Sequence, residues 1–133
     1  MTISGDFPHI TNRRIASNGI ELNIAEQGKD DAPLIVMLHG FPESWFSWRH
    51  QFAPLAAAGY HVVAPDMRGY GESDKPADIT AYNQVEIVND IKGLVDALGY
   101  ETAIVIGHDW GGPTAWSCAL WHPEIFTAVG VLS

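Results

Sequence analysis

The sequence has a single cysteine, few basic side chains and no long apolar run. Cys118 stands alone among 133 residues, so no internal disulfide can form and a reducing compartment fits the chain. Seven Lys and Arg against sixteen Asp and Glu give a net charge of -9, which argues against binding to nucleic acid or to an anionic membrane surface. No apolar segment approaches the ~20 residues of a membrane-spanning helix. The N-terminal MTISGDFPHI lacks the basic and apolar parts of a secretory signal, so we expect a cytoplasmic globular protein without a membrane contact.

The apolar patterning alternates between strands and helices. Two alternating stretches flank Asn18-Gly19, a strong signal for a tight hairpin. Continuous apolar runs at 34–39 and 60–66 predict buried strands, and the runs at 102–107 and 126–133 predict two further strands. Helical spacing at 48–59, 82–99 and 113–122 predicts the helices between them. Repeated strand–helix units after a hairpin indicate an α/β fold with a mostly parallel sheet flanked by helices.

The segment GHDWGG, residues 107–112, joins a predicted strand to a predicted helix. A strand–turn–helix segment of the form G-x-S-x-G is a nucleophile elbow, which presents a serine at a sharp turn. Asp109 stands where that serine would be. An aspartate before a helix can also be a simple N-terminal cap, so both interpretations apply to this position.

A carboxylate at the elbow indicates a particular chemistry. With an ordinary pKa of about 3.9 it is already ionised at neutral pH and needs no base to attack. Held in line with an sp3 carbon, it can displace a leaving group and form an alkyl ester, which water must then hydrolyse with the help of a general base. Asp109 as nucleophile therefore predicts a substrate that alkylates, either an epoxide or an alkyl halide.

Three motifs occur in order, each after a predicted strand: HGFPESWFSWRH at 39–50, DMRGYGES at 66–73 and GHDWGG at 107–112. Together they resemble the α/β-hydrolase superfamily, and within it the epoxide hydrolases. The resemblance covers nearly the whole chain from about Asn18 onward. Because the sequence stops on an apolar strand without a covering neighbour, we expect residues 1–133 to be the N-terminal part of an α/β-hydrolase core domain. The cap domain and the C-terminal part would then lie outside this chain.

The elbow geometry also predicts an oxyanion hole. One donor is the backbone N–H of the residue after the nucleophile, Trp110. The resemblance to the H-G-x-P motif of the family implies that Phe41 supplies the second donor and that the Phe41–Pro42 peptide bond is cis. The remaining residues of the two motifs are expected to shape the backbone around the site: His39, Gly40, Pro42, Gly107, His108 and Gly111.

Position 41 distinguishes the two alkylating chemistries. The haloalkane dehalogenases, which this chain also resembles in general plan, use Asn or Glu there to hold the departing halide, whereas Phe41 offers only an aromatic face. We therefore expect Phe41 and Trp110 to contact a small neutral epoxide, with water as the second substrate, and keep haloalkane dehalogenase as the alternative.

The sequence offers no general base in reach of Asp109. His122 is the only histidine beyond it, and thirteen helical residues would separate the two by roughly 20 Å. The resemblance implies that the base, its acidic partner and the cap-domain tyrosines that protonate the epoxide oxygen come from elsewhere, so a complementary chain carrying them is an expected partner. The isolated chain should then show no multiple turnover, and a non-catalytic fragment that serves only in binding or assembly is the remaining alternative.

The sequence allows two other kinds of site, a metal centre and a phosphate loop. His39, His108 and Asp109 form a conceivable metal set, but adjacent residues seldom aim at one point, so we expect neither a metal nor any other cofactor. The DMRGYG segment lacks the GxxxxGK pattern of a phosphate loop, and a turn closed by an Asp66–Arg68 pair is the preferred interpretation.

Overall fold

The computed structural model describes residues 6–133, which form one sheet flanked by helices on both faces. Six strands make up the sheet: β1 Thr11–Ser17, β2 Ile20–Gln27, β3 Leu34–Leu38, β4 His61–Pro65, β5 Ala103–His108 and β6 Phe126–Leu132. Three α-helices lie between them: α1 Phe52–Ala57, α2 Gln84–Ala97 and α3 Gly111–Trp121. Short 3-10 turns occupy Trp45–Trp48 and Ile79–Tyr82.

The strand order is β1-β2-β4-β3-β5-β6. The β1–β2 hairpin turns at Asn18 and Gly19, whose φ angles of 51° and 80° are those a two-residue primed turn requires. β2 pairs antiparallel with β4, and β4, β3, β5 and β6 are parallel neighbours. The prediction of a hairpin followed by a mostly parallel sheet is confirmed.

The central strands β3 and β4 are buried along their whole length. Alternate residues of β3 enter two separate apolar clusters. Val36 and Leu38 pack with α2 and α3 on one face, and Ile35 and Met37 pack with Phe52 of α1 on the other. This two-sided burial explains why the strand has no polar alternation in the sequence.

The predicted helix over 48–59 is shorter in the structure. Trp45–Trp48 forms a 3-10 turn that Ser44 caps by accepting the Phe46 N–H at 3.3 Å, and the α-helix starts only at Phe52. Pro54 accounts for the late start, because proline has no N–H to donate and is tolerated only in the first turn of a helix. No helix within residues 6–133 is both long and apolar enough to cross a membrane.

The prediction that Asp66 pairs with Arg68 is wrong. Arg68 donates from Nε and Nη2 to the Asp90 carboxylate at 2.9 and 2.8 Å, which ties the loop after β4 to α2. Asp66 instead accepts the backbone N–H groups of Trp45 and Glu72, each at 2.9 Å, and the Asn23 amide at 3.0 Å. Two buried carboxylates therefore organise the carboxyl edge of the sheet, one through backbone donors and one through a guanidinium.

The Arg68–Asp90 pair should be a strong determinant of stability. Arg68 is 6 % exposed and Asp90 1 % exposed, so Asp90→Asn leaves a guanidinium in the interior without a counter-charge. We expect the free energy of unfolding to fall by about 3 kcal/mol or more, measured by urea denaturation. Asp96→Asn, at an exposed position of the same helix, is the matched control; equal effects of the two changes would contradict this account.

Candidate active site

Asp109 lies in the sharp turn between β5 and α3. Its φ of 56° is in the left-handed region, which a residue other than glycine seldom adopts and which is concentrated at functional turns. The Asp109 carbonyl accepts the Gly112 N–H at 3.0 Å, which closes the turn as the helix begins. The side chain is exposed at the carboxyl end of the central strands, where open α/β sheets bind their ligands.

Glycines allow this turn to form. A Cβ atom at Gly107 would overlap the carbonyl oxygen of Gly111, and one at Gly111 would overlap the backbone of Leu38 and His39. The start of α3 therefore rests directly on β5 and on the end of β3. These contacts give a physical reason for the glycines on either side of the aspartate.

The HGFP loop after β3 reaches the same point. The Phe41 N–H donates to Oδ2 of Asp109 at 3.0 Å, and a Cβ atom at Gly40 would overlap the Asp109 side chain. The Phe41–Pro42 peptide bond is cis, as expected from the sequence. The structure thus brings together Phe41, Trp110 and Asp109, the three residues that the sequence analysis assigned to one site.

The electrostatic surroundings favour an ionised carboxylate. The backbone N–H of Phe41, then that of Trp110, hold the pKa of Asp109 below its ordinary value, with a smaller contribution from His108. The Asp109 carboxylate accepts the Phe41 N–H of the loop opposite and not an N–H from Gly111 or Gly112 in the first turn of α3, so a simple cap of that helix does not account for it. The carboxylate is therefore charged, exposed and oriented by the loop opposite.

His39 is a buried residue that joins two loops. Its Nε2 accepts the Met67 N–H at 2.9 Å, so Nδ1 carries the proton and donates to the Gly40 carbonyl at 2.8 Å. Burial lowers the pKa of the ring, which favours this neutral form. Both nitrogens are occupied by backbone partners, and among residues 6–133 no three His, Cys, Asp or Glu side chains are arranged to hold a metal ion.

Two further histidines, His108 and His122, lie close to the elbow in the sequence, but neither is placed to act as a base on the Asp109 site. His108 points to the Glu43 carboxylate, with Nδ1 3.5 Å from Oε1, and the same oxygen accepts the Gly40 N–H at 3.0 Å. His122 caps the far end of α3 and lies 3.7 Å from Glu124. Eleven helical residues separate it from the elbow, about 16 Å along the axis.

Aromatic side chains surround the carboxylate. Phe41 is 60 % exposed and Trp110 is 68 % exposed, so both rings are available to a ligand. Beside them opens a cavity of about 200 Å³ whose lining includes Gly40, Tyr70 and Trp110. Tyr70 lies edge-on to Phe41, with ring centroids 6.3 Å apart.

The sequence analysis gave Tyr70 no role in the site. The signal that could have found it is its place after β4, because parallel neighbours deliver their following loops to the same edge of the sheet. The interpretation of its motif, DMRGYGES, as a turn assigns this tyrosine no ligand. Burial, and after it the charge of Asp109, raise the pKa of Tyr70 above its ordinary value.

Comparison with known proteins agrees with this architecture. Residues 33–132 match the family model described as the alpha/beta hydrolase fold, and the chain belongs to that family. It is 53% identical over 110 residues to the AB hydrolase superfamily protein YfhM of Bacillus subtilis, covering 83% of this chain and 38% of that protein. It is 46% identical over 123 residues to Epoxide hydrolase A of Mycobacterium tuberculosis, covering 92% of this chain and 38% of that protein.

Among solved structures, the chain superimposes on Epoxide Hydrolase A from Mycobacterium thermoresistibile with a TM-score of 0.92 and 47% identity, covering 93% of this chain and 39% of that one. The predicted α/β-hydrolase fold and the resemblance to epoxide hydrolases are confirmed. The chain spans less than two-fifths of the length of these relatives.

The elbow should not tolerate a side chain at Gly111. In Gly111→Ala the new methyl group meets main-chain atoms of β3 that cannot rotate away. We expect the free energy of unfolding to fall by about 3 kcal/mol, measured by chemical denaturation. In the control Gly130→Ala the added carbon meets only Ile106, at an ordinary 3.5 Å, and should cost less than about 1 kcal/mol. Comparable losses in both variants would show that the close approach is not a stability determinant.

Proposed function

We propose that this chain supplies the nucleophile and the oxyanion hole of an epoxide hydrolase, with Asp109 as the nucleophile. The observation that carries the proposal is the Phe41 N–H, which points at the carboxylate of an aspartate held at the elbow in a left-handed conformation. The names of the relatives, several of which are epoxide hydrolases, support the same chemistry.

In the first step an Asp109 oxygen attacks one epoxide carbon, the C–O bond to that carbon breaks, and the ring oxygen takes a proton. The product is a hydroxyalkyl ester of Asp109. No base is needed here, because the lowered pKa keeps the carboxylate ionised. The aromatic rings of Phe41 and Trp110 would hold the apolar part of the substrate beside it.

In the second step water attacks the ester carbonyl and the bond from that carbonyl carbon to the substrate oxygen breaks, releasing a vicinal diol. Negative charge develops on the carbonyl oxygen, and the Phe41 and Trp110 N–H groups are the donors proposed for it. This step requires a general base within about 3 Å of the attacking water. We propose that polypeptide outside residues 1–133 supplies the base, its acidic partner and the cap tyrosines.

The open edge of the sheet offers a surface for such a partner. Within the described residues β6 pairs only with β5, and Val131 and Leu132 on it are exposed beside Trp116 of α3. An unpaired apolar strand is a ready template for another strand. We propose that the complementary polypeptide pairs with this edge. The cytoplasmic location, which the single cysteine led us to expect, stays a prediction.

Asp109→Asn tests the nucleophile. The assembly is this chain co-expressed with the part of Epoxide hydrolase A of Mycobacterium tuberculosis that the alignment leaves uncovered, about three-fifths of that protein. We expect diol formation to fall by roughly 10⁴-fold or more, because the amide is a poor nucleophile. The protein must be assayed freshly made, since slow deamidation restores the acid, and Asp96→Asn is the control. Undiminished turnover in verified Asn protein would remove Asp109 from this role.

The same assembly should prefer epoxides to alkyl halides. Phe41 has no side-chain N–H to stabilise a departing bromide, so we expect kcat/KM for styrene oxide to exceed that for 1-bromobutane by about tenfold or more. Phe41→Asn should shift the ratio toward bromide release. Faster bromide release by the wild-type protein would favour a haloalkane dehalogenase, and no reaction with either compound would favour a role in binding or assembly alone.

A further inference from the structure

The Asp109 side chain lines an open cavity of about 520 Å³ between α3 and the end of β6. The elbow is tied to that strand, because the Asp109 N–H donates to the Leu132 carbonyl at 3.3 Å. This cavity beside α3 differs from the one of about 200 Å³ next to Gly40 and Tyr70, although Trp110 lines both. A substrate bonded to Asp109 therefore has this space available for the rest of its structure.

The lining of the cavity beside α3 is mostly apolar. Asp109 is its only charged side chain, and within the described part of the chain no lysine or arginine lines it. Apolar side chains make up most of the rest: Trp110, Pro113, Trp116, Val131 and Leu132. Such a surface favours a neutral apolar group, whereas the Asp109 charge would repel an anionic one.

Trp116 gives the cavity a large exposed aromatic surface. It is 58 % exposed, although it lies in the middle of α3. Pro113 precedes it by three residues and Leu120, also exposed, follows it by four, so the three side chains share one face of the helix. This apolar face starts one turn after the elbow. An extended apolar substituent that begins at Asp109 would thus lie along α3.

Pairing at the open edge of β6 uses different groups from those that line the cavity. A neighbouring strand would bond to the main-chain N–H and C=O groups of β6. The Val131 side chain faces α3 instead, since a Cβ atom at Gly112 would lie 3.1 Å from its Cγ1. Strand pairing with the proposed complementary polypeptide and substrate binding beside α3 are therefore compatible.

We propose that the substrate is an epoxide with an extended apolar substituent that lies along α3, and that Trp116 determines the specificity for it. The inference rests on the proposed nucleophilic role of Asp109. While an Asp109 oxygen attacks one ring carbon, the substituent packs against the Trp116 ring and its apolar surface leaves water. Because this contact is present in the transition state, longer substituents raise kcat/KM.

The test compares 1,2-epoxypropane, 1,2-epoxybutane and 1,2-epoxyhexane as substrates of the assembly described above. Added methylenes lengthen the apolar chain and leave the reactivity of the ring nearly unchanged. Full burial of one methylene is worth about 0.8 kcal/mol, which converts to about fourfold in kcat/KM. We expect a rise of about two- to fourfold per methylene in the wild-type assembly and of less than about 1.5-fold in Trp116→Ala. The ratio between two substrates in one preparation does not depend on how much of the chain has assembled.

Trp121→Ala is the matched control, since Trp121 is exposed on the same helix but does not line the cavity beside α3. It should keep the wild-type dependence on chain length. Trp116→Phe retains an aromatic ring and should keep most of that dependence.

Equal dependence on chain length in Trp116→Ala and Trp121→Ala, or none in the wild-type assembly, would overturn the inference while leaving the nucleophile intact. A Trp116→Ala variant that assembles poorly but keeps the wild-type dependence would overturn it as well, and would assign Trp116 to the contact with the complementary polypeptide. Absence of diol from all three epoxides, or undiminished diol formation by Asp109→Asn, would overturn the proposed function and this inference with it.

Discussion

The site depends on how closely the start of α3 approaches the ends of β3 and β5. The approach is a matter of excluded volume, because main-chain atoms stand where a Cβ atom would be at Gly107 and Gly111. It forces the chain to reverse within two residues, and Asp109 takes up a φ of 56° to do so. The HGFP loop lies against the Asp109 side chain, and Gly40 again lacks the Cβ that would collide with it. Close packing of the backbone thus positions the Asp109 carboxylate independently of the hydrogen bonds that the carboxylate itself accepts.

Electrostatics then acts on a group already in place. The Phe41 N–H contacts an Asp109 oxygen directly, which lowers the pKa and keeps the nucleophile ionised. A donor that stabilises a carboxylate also weakens it as a nucleophile, which would be a disadvantage if the first step were the only one. In the proposed sequence the same donor later stabilises the oxyanion of the ester, where greater charge develops on one oxygen. A fixed backbone dipole can serve both states because neither requires it to move.

Much of this could be predicted from the sequence, and the failures have physical causes. The hairpin, the four parallel strands and the elbow follow from local patterns, since turn residues and apolar runs report on their own conformation. The pairing of Arg68 with Asp90 could not be read in the same way, because it depends on where α2 packs, 22 residues away. The same holds for Tyr70, whose nearness to Phe41 depends on the sheet order that brings β4 beside β3. Pro54 indicates that α1 begins late, because proline is tolerated only in the first turn of a helix. The apolar spacing over 48–59 nevertheless predicted a longer helix than the one that forms.

The two steps of the proposed mechanism, alkylation of Asp109 and hydrolysis of the ester, differ in the groups that they need. A carboxylate nucleophile needs no base for alkylation, so Asp109 and its two backbone donors can come from two adjacent loops, those that follow β3 and β5. Ester hydrolysis differs, because an attacking water must lose a proton, and a base must stand on the opposite side of the ester from the oxyanion donors. Phe41 and Trp110 occupy the donor side within this chain. In the proposed mechanism the base on the other side belongs to polypeptide outside residues 1–133. In the proposed assembly the polypeptide that pairs with the open edge of β6 also brings this base, so that completing the sheet and completing the site would be one event.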